Sequence, residues 1–161
     1  MALTKINNNT LSAVTTLPSA IATGKVLQTV SMLNATQTTT TSASMVDTPV
    51  TLAITPSSTS NKVLIIVNIS SIRKTGDMGV ELKLQTGSTV LSFFGGNIAD
   101  NGSAAAQTVS GQGTSFLHSP STSSAITYKV TFRTSNGGNT ALINNNGGTS
   151  SMTLMEIAGW L

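Results

Sequence analysis

The sequence predicts an all-β fold, a jelly-roll-like antiparallel β-sandwich with an extended N-terminal arm. Three observations predict it. The most apolar run, Asn61-Lys62-Val63-Leu64-Ile65-Ile66-Val67-Asn68-Ile69-Ser70, is rich in β-branched residues and too short to span a bilayer, which takes about 20 apolar residues. Other segments alternate apolar and polar residues with a period of two, most plainly Val80-Glu81-Leu82-Lys83-Leu84-Gln85. Clusters of Ser, Thr, Asn, Gly and Pro separate these runs at short intervals, with no sustained helical period, as in sandwiches and jelly rolls.

The apolar run is expected to be the central strand. Val63, Ile65, Val67 and Ile69 fall on one face and Leu64 and Ile66 on the other. Part of the strand should therefore be covered on both faces, which implies two packed sheets, or a sheet that buries one face in its own core and part of the other against a neighbouring subunit.

Along the chain, residues 1–23 carry spaced apolar residues, Leu3, Ile6, Leu11, Val14, Leu17 and Ile21, among Asn, Ser and Thr. The Asn7-Asn8-Asn9-Thr10 and Thr15-Thr16 runs disfavour helix, so this segment reads as an extended arm that packs on another chain. The sandwich is assigned to 24–161. Gly24-Lys25 opens a strand over Val26 to Leu33, and the Thr-rich run from Thr36 to Thr41 favours extended backbone. Pro49 to Ile54 alternates with Val50, Leu52 and Ile54 inward, and Thr55 to Asn61 turns into the central strand.

Arg73-Lys74-Thr75-Gly76-Asp77 reads as the next turn. Val80 to Gln85 and Val90 to Phe94 make a hairpin across Thr86-Gly87-Ser88-Thr89. The polar stretch from Gly95 to Ala106 is expected to be a surface loop. A short strand follows over Gly113 to His118. Ile126, Tyr128, Val130 and Phe132 mark the core side of another, and Ser135-Asn136-Gly137-Gly138 is expected to close a hairpin with Ala141-Leu142-Ile143. Asn144 to Gly148 turns into a last strand over Ser151 to Ala158, and Trp160 and Leu161 form an apolar end suited to a subunit interface.

At 161 residues the chain suffices for one domain with its own core. Charged residues are 8% of it, against about 25% in ordinary globular proteins, while a hydrophobic fraction of 39% in strand-length clusters argues against disorder. The formal net charge of +3 comes from scattered bases without a basic stripe or aromatic platform, so nucleic acid is not an expected partner. No membrane partner is expected either. Met1 to Asn7 lacks the apolar core of a signal peptide, and a soluble protein not exported by the usual route is expected. There is no Cys, hence neither a disulfide framework nor a thiolate metal site.

Residues capable of catalysis are few. A Ser/His/Asp arrangement could use only His118, whose strand-end setting has no motif around it. Of the acids, Glu81 reads as the outward partner of Lys83, and Asp47, Asp77 and Asp100 sit in turn-like sequence. Asp77 and Asp100 with loop carbonyls are all the chain offers to Ca²⁺, and Asp-Asn-Gly is also simply a good turn. Gly76-Asp77-Met78-Gly79 and Gly111-Gln112-Gly113 lack the strand-loop-helix setting of a phosphate loop. No enzymatic activity, cofactor or metal is expected.

Several segments resemble a β-rich domain of structural proteins of tailed phages from marine and freshwater hosts. They are Gly24 to Val30, the Thr-rich strand leading to Val46-Asp47-Thr48-Pro49, Ile54 to Leu64, Phe116-Leu117-His118-Ser119-Pro120 with Ile126 to Val130, and Ser151 to Ala158. The resemblance runs in order over residues 24 to 158. It departs at His118, where relatives often carry Asp, and between Arg73 and Ser110. It implies a jelly-roll-like module, a trimer and a virion role, and it names no catalytic residue.

Three functions follow as expectations. One is a homotrimeric capsid decoration or cement protein seated on the major capsid protein. A second is a short tail fibre or receptor-binding tip held by a tail adaptor, with loops at Gly95 to Ala106 and Gly111 to Ser115 meeting a host surface glycan or protein. The third is a carbohydrate-binding module or small hydrolase, for which exposed aromatics are scarce at 4% of the chain.

Overall fold

The structure, a computed structural model, describes residues 25–159. The expectations for the arm at 1–23 and for Trp160 and Leu161 lie outside the described residues. Ten strands make two facing antiparallel sheets. Sheet A pairs β1 (Val26–Asn34), β10 (Ser150–Ile157), β4 (Lys62–Lys74) and β7 (Gln107–His118) in that order. The short β9 (Ala141–Ile143) and β2 (Thr38–Thr40) continue it from the far end of β4. Sheet B runs β3 (Val46–Ile54), β8 (Ile126–Thr134), β5 (Val80–Thr86) and β6 (Thr89–Ile98). The chain crosses between sheets after β2, β3, β4, β6, β7 and β8, so the long strands interleave as the double Greek key of a jelly roll.

The core lies between the sheets and follows from strand alternation. Val63, Ile65, Val67 and Ile69 of β4, with Met152 and Leu154 of β10, are buried against Val50 and Ile54 of β3, Val80, Leu82 and Leu84 of β5, and Tyr128, Val130 and Phe132 of β8. The inward positions predicted for β4, β5 and β8 hold. At about 25 cal/mol per Å² of apolar area, burying each of these large side chains is worth about 2 kcal/mol.

Four expectations are corrected. The central strand does not end at Ser70. Ser71, at φ 46°, shifts the inward phase of β4 from Ile69 to Ile72, and the strand runs on to Lys74. The adjacent bases expected in a turn thus lie in a strand, with Lys74 fully buried. Its ammonium donates to Asn101 Oδ1 at 3.1 Å and to the Ser103 carbonyl, holding the loop after β6.

The segment read as a loop from Gly95 is strand as far as Ile98, and Gly111 to Ser115 lies inside β7. Glycine suits Gly111 because a Cβ there would meet the Ile69 carbonyl oxygen at 2.8 Å. Finally, the Ser135 to Gly138 turn does not close a hairpin. It hands the chain to the other sheet, where β9 pairs with β2 and β4.

Proline in β3 is tolerated because Pro49 falls in the register shift between Asp47 and Thr51, on an edge strand. The Thr48 hydroxyl closes that irregularity, donating to the Val130 carbonyl at 2.8 Å and accepting from the Val50 N–H at 3.2 Å.

Candidate interaction surfaces

The two sheets turn opposite chemistry outward. On sheet A, alternation that buries Val63, Ile65 and Val67 points Leu64 and Ile66 the other way. Register then builds an apolar row across three strands, Met155, Leu64 and Leu117, flanked by Thr29 on β1, with Ile66 beside it opposite Thr153 and Ser115. Ile66 is 44% and Leu117 49% exposed. Among the described residues, charge on this face is confined to Lys25, Lys62 and Arg73 near strand ends. The expectation that β4 is covered on both faces holds on its inner side; the described chain leaves its outer side open.

The outer face of sheet B is polar. Lys129 pairs with Asp47 at 2.7 Å and Arg133 with Glu81 at 2.7 Å. The expected partnership of Glu81 with Lys83 is replaced by the cross-strand one, since register sets Glu81 opposite Arg133. Lys83 instead lies over the Phe93 ring, 5.9 Å from its centroid. Phe93, Val90, Lys83, Glu81 and Arg133 line an open groove of ≈ 520 Å³. Phe93 is 52% exposed, whereas Phe94, Phe116, Tyr128 and Phe132 belong to the core or pack against it. The sequence carried the signal: adjacent Phe93 and Phe94 on one strand cannot both face inward.

The groups read for catalysis are spread through the structure. His118, at the end of β7, places Nδ1 2.9 Å from the Tyr128 hydroxyl, between the sheets. Burial lowers the imidazole's pKa from its ordinary 6.5 and pushes the Tyr128 hydroxyl up to about 12, so both are neutral near pH 7. Asp100 Oδ1 accepts from the Gly102 N–H at 3.1 Å, an Asx turn, while the Asp77 carbonyl accepts from Asn136 Nδ2 at 2.8 Å. Among the described residues no three His, Asp or Glu side chains come together as metal ligands would.

Glu156, an acid with no motif around it in the sequence, is held by a cluster of donors. It lies inward on β10 and is fully enclosed. Oε1 accepts from the Ser57 N–H at 2.6 Å, the Ser57 hydroxyl at 2.8 Å and Asn61 Nδ2 at 2.6 Å, and Oε2 accepts from Gln28 Nε2 at 2.6 Å. Burial alone would raise its pKa; the four donors outweigh it and bring the carboxyl from an ordinary 4.5 to about 2. Asn61 Oδ1 accepts from the Gly159 N–H at 2.9 Å, so the cluster ties β1, the β3–β4 turn and the end of β10 together. No sequence motif marks it, because its donors lie 95 to 128 residues away from it in the chain. With every carboxylate oxygen occupied, Glu156 is a structural clasp.

No family model matches the chain, and no curated protein matches it. Among solved structures it is similar to the VP2 subviral particle of infectious bursal disease virus, with 9% identity, a TM-score of 0.37, and coverage of 84% of this chain and 39% of that one. It is also similar to the structure of infectious bursal disease virus Gt strain, with 10% identity, a TM-score of 0.32, and coverage of 98% and 55%. The chain thus spans less than two thirds of either of these. Likenesses at that level carry no argument about function, and the jelly-roll assignment stands on the strand order.

Proposed function

We propose that this chain is a non-enzymatic structural protein on the surface of a tailed-phage virion, a homotrimeric decoration protein that stabilises the head. The observation that carries the reading is the contrast between the two sheet faces. An apolar face on the most hydrophobic strand suits permanent contact with protein partners, and a polar, ion-paired face opposite it suits solvent. A cement protein needs both, one to add buried area across subunits and one to keep the decorated particle soluble. The segmental resemblance to tailed-phage structural proteins supports the same reading, as does a core whose ionisable groups are spent on holding strands together.

A second reading, a short tail fibre or receptor-binding tip, is favoured by the Phe93 groove, where an exposed ring flanked by Glu81, Lys83 and Arg133 offers the stacking and hydrogen-bonding mix that a host glycan uses. Copy number per particle, measured by quantitative mass spectrometry against the major capsid protein, separates the two. Closed symmetry puts a head decoration on the order of hundreds and tail fibres at about a few tens. Absence from purified particles overturns both.

A further inference from the structure

The apolar face of sheet A has no cover among the described residues, and the chain holds a segment suited to cover it. We propose that this face seats residues 1–23 of a neighbouring copy, so that subunits are joined by exchanged arms. The inference rests on the face and on the segment's own sequence, and it holds whatever particle the protein serves.

Chemistry is the first argument. Leu64, Met155, Ile66 and Leu117 form one patch with Leu27 and Ile157 at its margin, and the face offers charge only near strand ends. Residues 1–23 carry six large aliphatic side chains, Leu3, Ile6, Leu11, Val14, Leu17 and Ile21, and one charge, Lys5. Each has apolar surface to lose and neither requires an ion pair. The intervening Ser, Thr and Asn can hydrogen-bond to Thr29, Ser31, Thr153 and Ser115 on the face.

Reach allows a second copy to supply the arm. The segment joins the sheet at Lys25, whose carbonyl accepts from the Ala158 N–H at 2.9 Å, at the same end of the sheet as the patch. Strands about 4.8 Å apart and a rise of about 3.3 Å per residue put the whole patch within roughly 20 Å of Lys25. A fully extended chain spans at most about 3.3 Å per residue, about 26 Å from Lys25 to Leu17 and about 73 Å to Leu3. That length exceeds the patch and suffices to cross to a second copy, and cross-linking within or between chains distinguishes the two faces.

The absence of cysteine makes the test clean. In the full-length chain, Ile6→Cys, Leu11→Cys and Leu17→Cys are each mixed with Ile66→Cys under mild oxidation, and Val90→Cys on sheet B serves as the control partner. The expected result is a disulfide-linked pair of different chains with Ile66→Cys for at least one arm position, and none with Val90→Cys. In parallel, Ile66→Asp and Leu117→Asp, both at half-exposed sites, should weaken the oligomer's association by about tenfold or more by light scattering, with an unchanged β-sheet circular dichroism spectrum.

Three outcomes overturn the proposal. A double variant such as Leu11→Cys/Ile66→Cys that closes within one chain, while the mixtures give no pair, puts the arm on its own face. Ile66→Cys linking to itself without the arm makes the occupant a second sheet face. Neither cross-linking nor an effect of the two Asp substitutions removes the face from assembly altogether. None of these outcomes bears on copy number in particles, so the virion reading stands or falls separately.

Discussion

Glu156 shows how much one side chain can join. A carboxylate inside an apolar sandwich is costly unless its oxygens are filled, and here four donors from β1 and the β3–β4 turn fill them. Its folded-state pKa, near 2, lies below the ordinary 4.5, so the folded state binds its proton more weakly than the unfolded chain does. The stabilisation is complete above pH 4.5 and is lost as pH falls towards 2, a difference of about 3 kcal/mol at 1.36 kcal/mol per pKa unit. Thermal melts of wild type should drop steeply over that window, whereas Glu156→Gln should start about 2–3 kcal/mol less stable at pH 6 and lose little more on acidification. An unchanged acid limb in the variant would assign acid sensitivity to other groups. His118 acts in the same direction at higher pH: its imidazole, lowered by burial, resists protonation in the fold, so acidification below 6.5 favours the unfolded chain.

Strand β4 carries two environments on one backbone. Ile65, fully buried between the sheets, and Ile66, half-exposed on the outer face, are adjacent in sequence and opposite in consequence. Ile65→Ala should cost about 2–5 kcal/mol from lost burial and the cavity it leaves, and Ile65→Asp should prevent folding. Ile66→Ser should shift the midpoint of urea unfolding of the monomer by less than about 1 kcal/mol. Equal losses at both positions would mean that the outer face is covered within the single chain. This alternation was legible in the sequence, as were the inward sets of β5 and β8, because a half-buried strand writes its period directly into residue type. Pairing was less so. Ala141-Leu142-Ile143 looked like the return of a hairpin, but apolar character says that a strand is buried and not which sheet buries it, and β9 joined β2 and β4. The phase shift at Ser71 was invisible because a positive φ at a serine has no signature, and with it went the burial of Lys74, a residue that sequence reading places in water.

At the scale of the molecule, charge is distributed by sheet. Both ion pairs among the described residues, Lys129 with Asp47 and Arg133 with Glu81, span strands of sheet B, while sheet A presents Leu64, Ile66, Met155 and Leu117. Composition alone gave an unusually neutral surface. The segregation became visible only with the strand order, because the residues that make the apolar row are scattered from Leu64 to Met155 and meet through register. The contrast makes a prediction about how the protein associates. Docking through the polar face would rest on exposed charges, which are screened beyond about 3 Å at 1 M salt, so association would weaken sharply between 50 mM and 1 M NaCl. Docking through sheet A removes apolar surface from water and gives nothing for chloride to screen, and ammonium sulfate should tighten it. Light scattering of the purified full-length chain across those salts should show an oligomer that persists at 1 M NaCl and tightens in sulfate. Dissociation by NaCl would move the principal contact to the Asp47, Glu81, Lys129 and Arg133 ladder and turn sheet A, rather than sheet B, toward solvent.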